Sequence, residues 1–404
     1  MLTVLRDIIG KSMVKAQKQQ LFPAFVPRVQ DLNVTKCGIE FPMIIMDSRH
    51  AAWRAPVARK IREITERLVI DPATDMLLFK GASEGVNIKR LGYPEKMDVN
   101  LLFGEPKTRS KVIETCVADQ QSKNADVIIP PYFYADDPNA LAFNLNLTML
   151  SETIKYMANQ KMTQPIYAYI EIGNTFLTRP TMINMVVDRY LDNKKELSGF
   201  LVTINDLDCR KADEDLLFGL TTLIRQLAQE HEVFINYIDC FGEVLVALGA
   251  SGYSSGLTTG EVFSAKNFQE SAKDRRFKKQ EKTFVPELLG YLNDEAVKKV
   301  NYKCNCSACN GAYPKSTEAK KKHYVLTKYA ALEQMQSLSL PQRIDFMKEK
   351  LSSSQEFTRR VKRMGVNPKN AWIGKWSTVL MDAANANPNR DDSDLDKFIN
   401  ELAE

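Results

Sequence analysis

The stretch IYAYIEIGNTFLTRPTMINMVVDRYLDNKKELSGFLVTIN, residues 166–205, decides the fold. Ile166–Ile172 is a β-rich apolar run, Pro180–Leu191 has a helical pattern, and Phe200–Asn205 is β-rich again. A strand–helix–strand succession of this kind joins parallel strands by a right-handed crossover. The same rhythm runs outward on both sides. Upstream lie the runs Met43–Asp47, Leu68–Asp71 and Asp126–Pro130, with helical patterns at Ala55–Glu66 and Leu141–Asn159. Downstream come Glu214–Glu230, whose leucines form a helical stripe, and the short runs Val233–Asp239 and Gly252–Gly256. No Gly-rich phosphate turn follows the first strand, so a closed (β/α)8 barrel of the TIM type is expected rather than an open doubly wound sheet.

The 404 residues accommodate such a barrel with additions at both ends. Residues 1–30 read as a polar, basic N-terminal helix, residues 31–265 as the barrel, 266–345 as a zinc-binding subdomain and 346–404 as a helical extension. Met76–Gly104 interrupts the rhythm and reads as a hairpin insertion. Composition is that of an ordinary globular protein, with 44% hydrophobic and 26% charged residues. The longest apolar runs are too short to cross a bilayer and no signal-peptide cleavage pattern is evident, so a cytoplasmic location is expected.

The net charge of +5 is modest, but its distribution is uneven. Lys273, Arg275, Arg276, Lys278, Lys279 and Lys282 crowd one short segment, Lys320–Lys322 forms a second cluster, and Arg359 to Arg363 a third. Each alone reads as a solvated helix face; together they suggest a surface that faces a polyanion.

Seven cysteines are too few, and odd in number, for a disulfide scaffold. Cys37, Cys116, Cys209 and Cys240 read as small buried hydrophobes. Cys304-Asn305-Cys306-Ser307-Ala308-Cys309 is different, because three thiols within one turn can aim at one centre. His323, at the start of the next helix, is the natural fourth ligand. Four protein ligands leave no open position, so the expected ion is a structural Zn2+. Three close cysteines and a histidine suit an iron–sulfur cluster less well.

Cys-x-Cys-x-x-Cys followed by a histidine-led helix, placed after a barrel, resembles the tRNA-guanine transglycosylase superfamily, which exchanges guanine for a deazaguanine in RNA and in some members acts on DNA. The histidine lies closer to the third cysteine than is usual there. Ile45 to Pro56 resembles the family's Asn-Thr-Tyr-His…Arg-Pro segment. Leu68-Val69-Ile70-Asp71-Pro72 falls on Leu-Thr-Asp-Ser-Gly, which implies an acid–base role for Asp71. Asp126 to Tyr132 falls on the strand that ends in a purine-binding Asp, with Tyr132 in that place. Tyr169-Ile170-Glu171-Ile172-Gly173 falls on Ile-Val-Gln-Gly-Gly, with Glu171 where a base-reading Gln stands. The resemblance also implies a homodimer or heterodimer that meets through the zinc subdomain.

The nucleophile departs from this pattern. No carboxylate occupies residues 249–257, and Ser254 is the nearest match by position. Asp239 or Asp206 would have to take its place if Ser254 lacks an activating base. Asp47, Asp71, Glu171, Asn205, Asp206 and Asp239 all fall at strand C-termini, where a barrel builds its site, although any of them could equally cap a helix. Tyr132, Phe133 and Tyr134 could stack a base or pack on the core. The expected function is therefore a transglycosylase-like handling of a (deaza)guanine on tRNA or DNA. The rivals are a catalytically inactive subunit serving as a nucleic-acid-binding or partner scaffold, and an unrelated barrel hydrolase.

Overall fold

The computed structural model describes residues 23–29, 32–53, 55–83, 86–94, 97–137, 139–257, 260–269 and 282–386. Seven parallel strands form its centre: β1 (Ala24–Val29), β2 (Phe41–Asp47), β3 (Thr65–Asp71), β4 (Ile166–Gly173), β5 (Leu197–Asn205), β6 (Glu232–Ile235) and β7 (Gly252–Ser255). Their order across the sheet is β3-β2-β1-β7-β6-β5-β4. The first strand was not anticipated: Ala24–Val29 follows Pro23 where a helix was expected to end, and it pairs in parallel with both β2 and β7. Most of the expected N-terminal helix lies outside the described residues.

The sheet curls, and alternate side chains from β1 to β6 reach one shared apolar interior. Ala24, Val26, Met43, Ile45, Val69, Tyr167, Tyr169, Leu201 and Phe234 pack there together with Val127, Ile129 and Tyr132. The expected closed (β/α)8 barrel does not form, however. Between the edges β3 and β4, the segment from Asp126 to Ala135 makes only isolated bridges, Ala135–Ile172 near its end and Val69–Val127 and Ile128–Ile166 near its start. Pro130 and Pro131 follow at once; neither has an N–H to donate, so a ladder cannot propagate. The result is an incomplete barrel whose eighth position is filled by a segment that is not a strand.

Outside the sheet, the helices Pro106–Ser122, Leu141–Asn159, Pro180–Leu191 and Glu214–Ala228 bury their apolar faces in the main core. Met76–Gly104 is not a hairpin. It holds the short helices Lys80–Ser83, Val86–Lys89 and Val99–Gly104, the last capped by Asp98, whose carboxylate accepts from the Leu101 N–H at 2.8 Å.

After the sheet, an antiparallel hairpin of β8 (Lys282–Val285) and β9 (Gly290–Asn293) precedes the cysteine cluster. Three helices follow, Thr317–Gln336, Leu340–Arg363 and Trp372–Asn385. The last packs back onto the barrel: Trp376 is fully buried, stands 5.5 Å from Phe241 between ring centres, and donates from Nε1 to the Cys209 carbonyl at 3.0 Å. Among the described residues, no helix is long and apolar enough to cross a membrane.

Candidate functional site

Period-two alternation along each strand decides what the barrel mouth contains. Beyond the apolar layer of Val26, Ile45, Val69, Tyr169 and Leu201, the next inward positions are Arg28, Asp47, Asp71, Glu171 and Thr203, and all of them are buried. Asn236 and Ser254 complete this polar layer from the adjoining strands. Placing so many charges where water is excluded requires that they be paired or that something else meets them.

Asp71 is the hub. It is fully buried and ion-paired with the guanidinium of Arg28. Its Oδ1 also accepts from the Tyr132 hydroxyl at 2.7 Å and from the Ala73 N–H at 2.9 Å. The Tyr132 ring stacks on Tyr169, with centres 3.8 Å apart and planes 4° from parallel. The Tyr169 hydroxyl meets Thr203 Oγ1 at 2.8 Å and accepts from Asn236 Nδ2 at 3.2 Å. Arg28 lies 4.4 Å above the ring of Tyr237.

Of the other acids in this layer, Asp47 is paired with Arg49, whereas Asp75 and Glu171 are not satisfied. Asp47 is held below the usual carboxylate range by Arg49, despite its burial. Asp75 is 2% exposed, and its Oδ1 has no hydrogen-bond partner. Burial, reinforced by the charge of Asp71, pushes its carboxyl up to about 7. Glu171 is 1% exposed with both carboxyl oxygens unpartnered. Burial and the charges of Asp75 and Asp71 push it well above the carboxylate range too. Ala73, Asp206 and Tyr237, which follow β3, β5 and β6, all adopt positive φ, and such strain clusters at ligand sites.

The other expected residues are dispersed. Ser254 is fully buried and donates to Asn236 Oδ1 at 2.6 Å, which makes it a strut between β6 and β7. Asp239 lies just before the helix Phe241–Ala247, accepts from the Phe241 N–H at 2.8 Å, and lies 3.4 Å from Arg210. Burial raises its carboxyl to about 7. Asp206 is at the rim, 3.8 Å from Lys266. Lys320 is buried and bound to both carboxylate oxygens of Asp294 at 2.8 Å, so it is not offered to phosphates. The basic run Lys273, Arg275, Arg276, Lys278 and Lys279 lies outside the described residues.

Sequence reading missed Arg28, Asp75, Tyr169 and Asn236. For Arg28 a signal existed, a lone charge at an inward position of the apolar run Ala24–Val29. For Asp75 there was none, since it sits in a short turn after β3.

The second constellation forms as expected. The ligand atoms of Cys304, Cys306, Cys309 and His323 all lie within 4.8 Å of one another and can hold a metal ion. A tight turn arranges the thiols. The Cys309 N–H donates to the Cys306 carbonyl at 2.9 Å, and Cys304 pairs with Ala312 in an antiparallel bridge. His323 Nδ1 is 3.4 Å and 3.3 Å from the sulfurs of Cys306 and Cys309. Its Nε2 is 2.9 Å from the Phe284 carbonyl, which only accepts, so Nε2 carries the proton and Nδ1 keeps its lone pair for the ion. Ser316 caps the helix that carries the histidine.

No protein-family model matches the chain, and no curated protein matches it.

The buried carboxyl of Asp75 has a consequence for stability. An acid whose folded pKa is raised binds more protons folded than unfolded between the two values, so stability falls as pH rises from 3.8 to about 7. Asp75→Asn is therefore expected to be more stable than wild type at pH 7 by roughly 1–3 kcal/mol, with the difference vanishing near pH 4. Urea unfolding across that range checks it; a variant less stable at pH 7 contradicts the assignment.

Proposed function

We propose that this protein handles a guanine or deazaguanine base on tRNA or DNA in the manner of a transglycosylase, with a structural zinc ion holding its C-terminal module. The observation that carries the reading is the buried, unpartnered carboxyl of Glu171, with Asp75 near it, at the C-terminal mouth of a parallel barrel. Ionised against it, the Glu171 carboxylate would accept from the N–H-rich edge of a guanine. In this reading Asp71 manages the purine proton from a fixed position, since three groups orient its carboxylate. Tyr132 serves through Asp71 rather than as a slot for the base: its ring is already stacked on Tyr169, and a base between them would need the rings about 7 Å apart. The basic run at 273–282 would meet phosphates.

A second reading, a related subunit without exchange activity that serves as a scaffold or partner, is favoured by Ser254. Its hydroxyl is committed to Asn236. Asp239, the other candidate nucleophile, accepts from the Phe241 N–H and faces Arg210.

Zinc suits the donor set, because three thiolates and one imidazole around a closed tetrahedral centre are its preferred ligands. The ion would be structural, joining the cysteine turn to the helix Thr317–Gln336. Purified protein is expected to carry about one zinc per chain, and Cys306→Ser to lose it and destabilise the module by several kcal/mol. Folded protein free of zinc would contradict this.

Base binding is tested by calorimetry with guanine. Wild type should bind, and Glu171→Ala should weaken binding at least about tenfold. Equal affinity in the two proteins contradicts the role of Glu171. Labelled guanine incorporated into tRNA or DNA by wild type, and not by Asp71→Asn, would favour the exchanging enzyme. Binding without exchange would favour the scaffold.

A further inference from the structure

Arg28 has a capacity that the protein's own contacts do not use. One guanidinium nitrogen, Nη2, is committed to Asp71, and the plane rests on Tyr237. The other terminal nitrogen, Nη1, is buried and has no hydrogen-bond partner. Arg28 as a whole is 8% exposed. A charged donor left bare in a dry interior is strongly unfavourable, so an acceptor meets it when the site is filled. Glu171 offers the complement, two bare carboxyl oxygens on another strand of the same polar layer, close enough for the Arg28 charge to act on it.

A ligand that satisfies both groups presents an acceptor beside N–H donors on one edge. We infer that Arg28 is the specificity-determining residue of the mouth, its Nη1 donating to the lactam oxygen of the base while Glu171 accepts from the adjacent ring N–H and amino group. This rests on the base-binding reading above and adds to it a residue that rejects bases lacking that oxygen. The rejection has a physical origin. An amino group in place of the oxygen would set donor against donor and leave Nη1 unpaired, which is the arrangement that gives the largest discriminations between near-isosteric ligands. Asp71 and Tyr237 fix the guanidinium from two sides, so it cannot turn away to relieve the clash.

The test is calorimetric binding of guanine and of 2,6-diaminopurine, which has an amino group where guanine has the oxygen and lacks the ring N–H beside it, so the change in preference on replacing Arg28 is the quantity read. Wild type should prefer guanine by roughly 100-fold. Arg28→Gln, checked for folding by circular dichroism, should bring the two affinities to within about fivefold, mainly by weakening guanine. Equal binding of both bases to wild type overturns the assignment while leaving the base-binding reading intact. Binding of neither base removes both. An Arg28→Gln protein that folds and keeps the full preference also overturns it. Should that variant fail to fold, wild type is compared on guanine and 6-thioguanine, which keeps the ring N–H and the amino group and replaces only the oxygen by a poor acceptor; equal affinity for these two overturns the assignment.

Discussion

The ion pair between Arg28 and Asp71 is the contact on which the barrel mouth depends. Asp71 is fully buried at the end of β3, and Arg28 reaches it from β1 across β2. Removing either partner would strand a charge in a low-dielectric interior, a loss of about 3–5 kcal/mol. The pair also sets the positions of its neighbours. Tyr132 donates to Asp71, Tyr169 stacks on Tyr132, Asn236 donates to Tyr169, and Ser254 donates to Asn236. A single chain of contacts thus crosses the mouth from β3 to β7, on the side where the barrel ladder is incomplete as well as where it is whole.

The same chain reaches the metal module. Tyr324 stands next to the candidate metal ligand His323, and its hydroxyl lies 2.7 Å from Ser255 Oγ, one residue beyond Ser254. Tyr324 and Tyr291 both donate to Glu261, at 3.0 Å and 2.8 Å, and Glu261 pairs with Arg210. One turn along the same helix, Lys328 is fully buried; its Nζ donates to Cys240 Sγ at 2.9 Å and lies 4.0 Å from Glu243, among the rings of Tyr253, Phe284 and Tyr324. A cation can be buried there because Glu243 also faces Lys350 and stays ionised, held down by the two lysines against its burial. The helix Thr317–Gln336 therefore clamps the sheet at Ser255, and a metal held by His323 in its second turn would fix the clamp.

The sequence made the strands legible where short β-rich apolar runs stood between helical patterns, as at Met43–Asp47 and Ile166–Ile172. It made the metal ligands legible because thiol spacing is a local property. Three features were not local. Ala24–Val29 is too short and too close to Pro23 to be told from a helix end, yet it carries Arg28. Barrel closure turned on Pro130 and Pro131, which end the Asp126 segment before it can pair along its length. The network around Glu261 joins residues more than thirty positions apart, such as Tyr291 and Tyr324, and no periodicity marks it. Asp71 and Glu171 were placed at strand ends correctly, but only three-dimensional packing showed that one is fully satisfied and the other bare.

A bare carboxyl and a bare guanidinium nitrogen facing one buried layer are meaningful only if a ligand completes them. The most direct measurement is a high-resolution crystal structure of the protein grown with saturating guanine. The base should lie in the mouth with its N–H edge on Glu171 and its oxygen on Arg28 Nη1. Ordered waters bridging Arg28, Asp75 and Glu171, with no base present, would contradict a ligand site there and leave the polar layer as a hydrated part of the core.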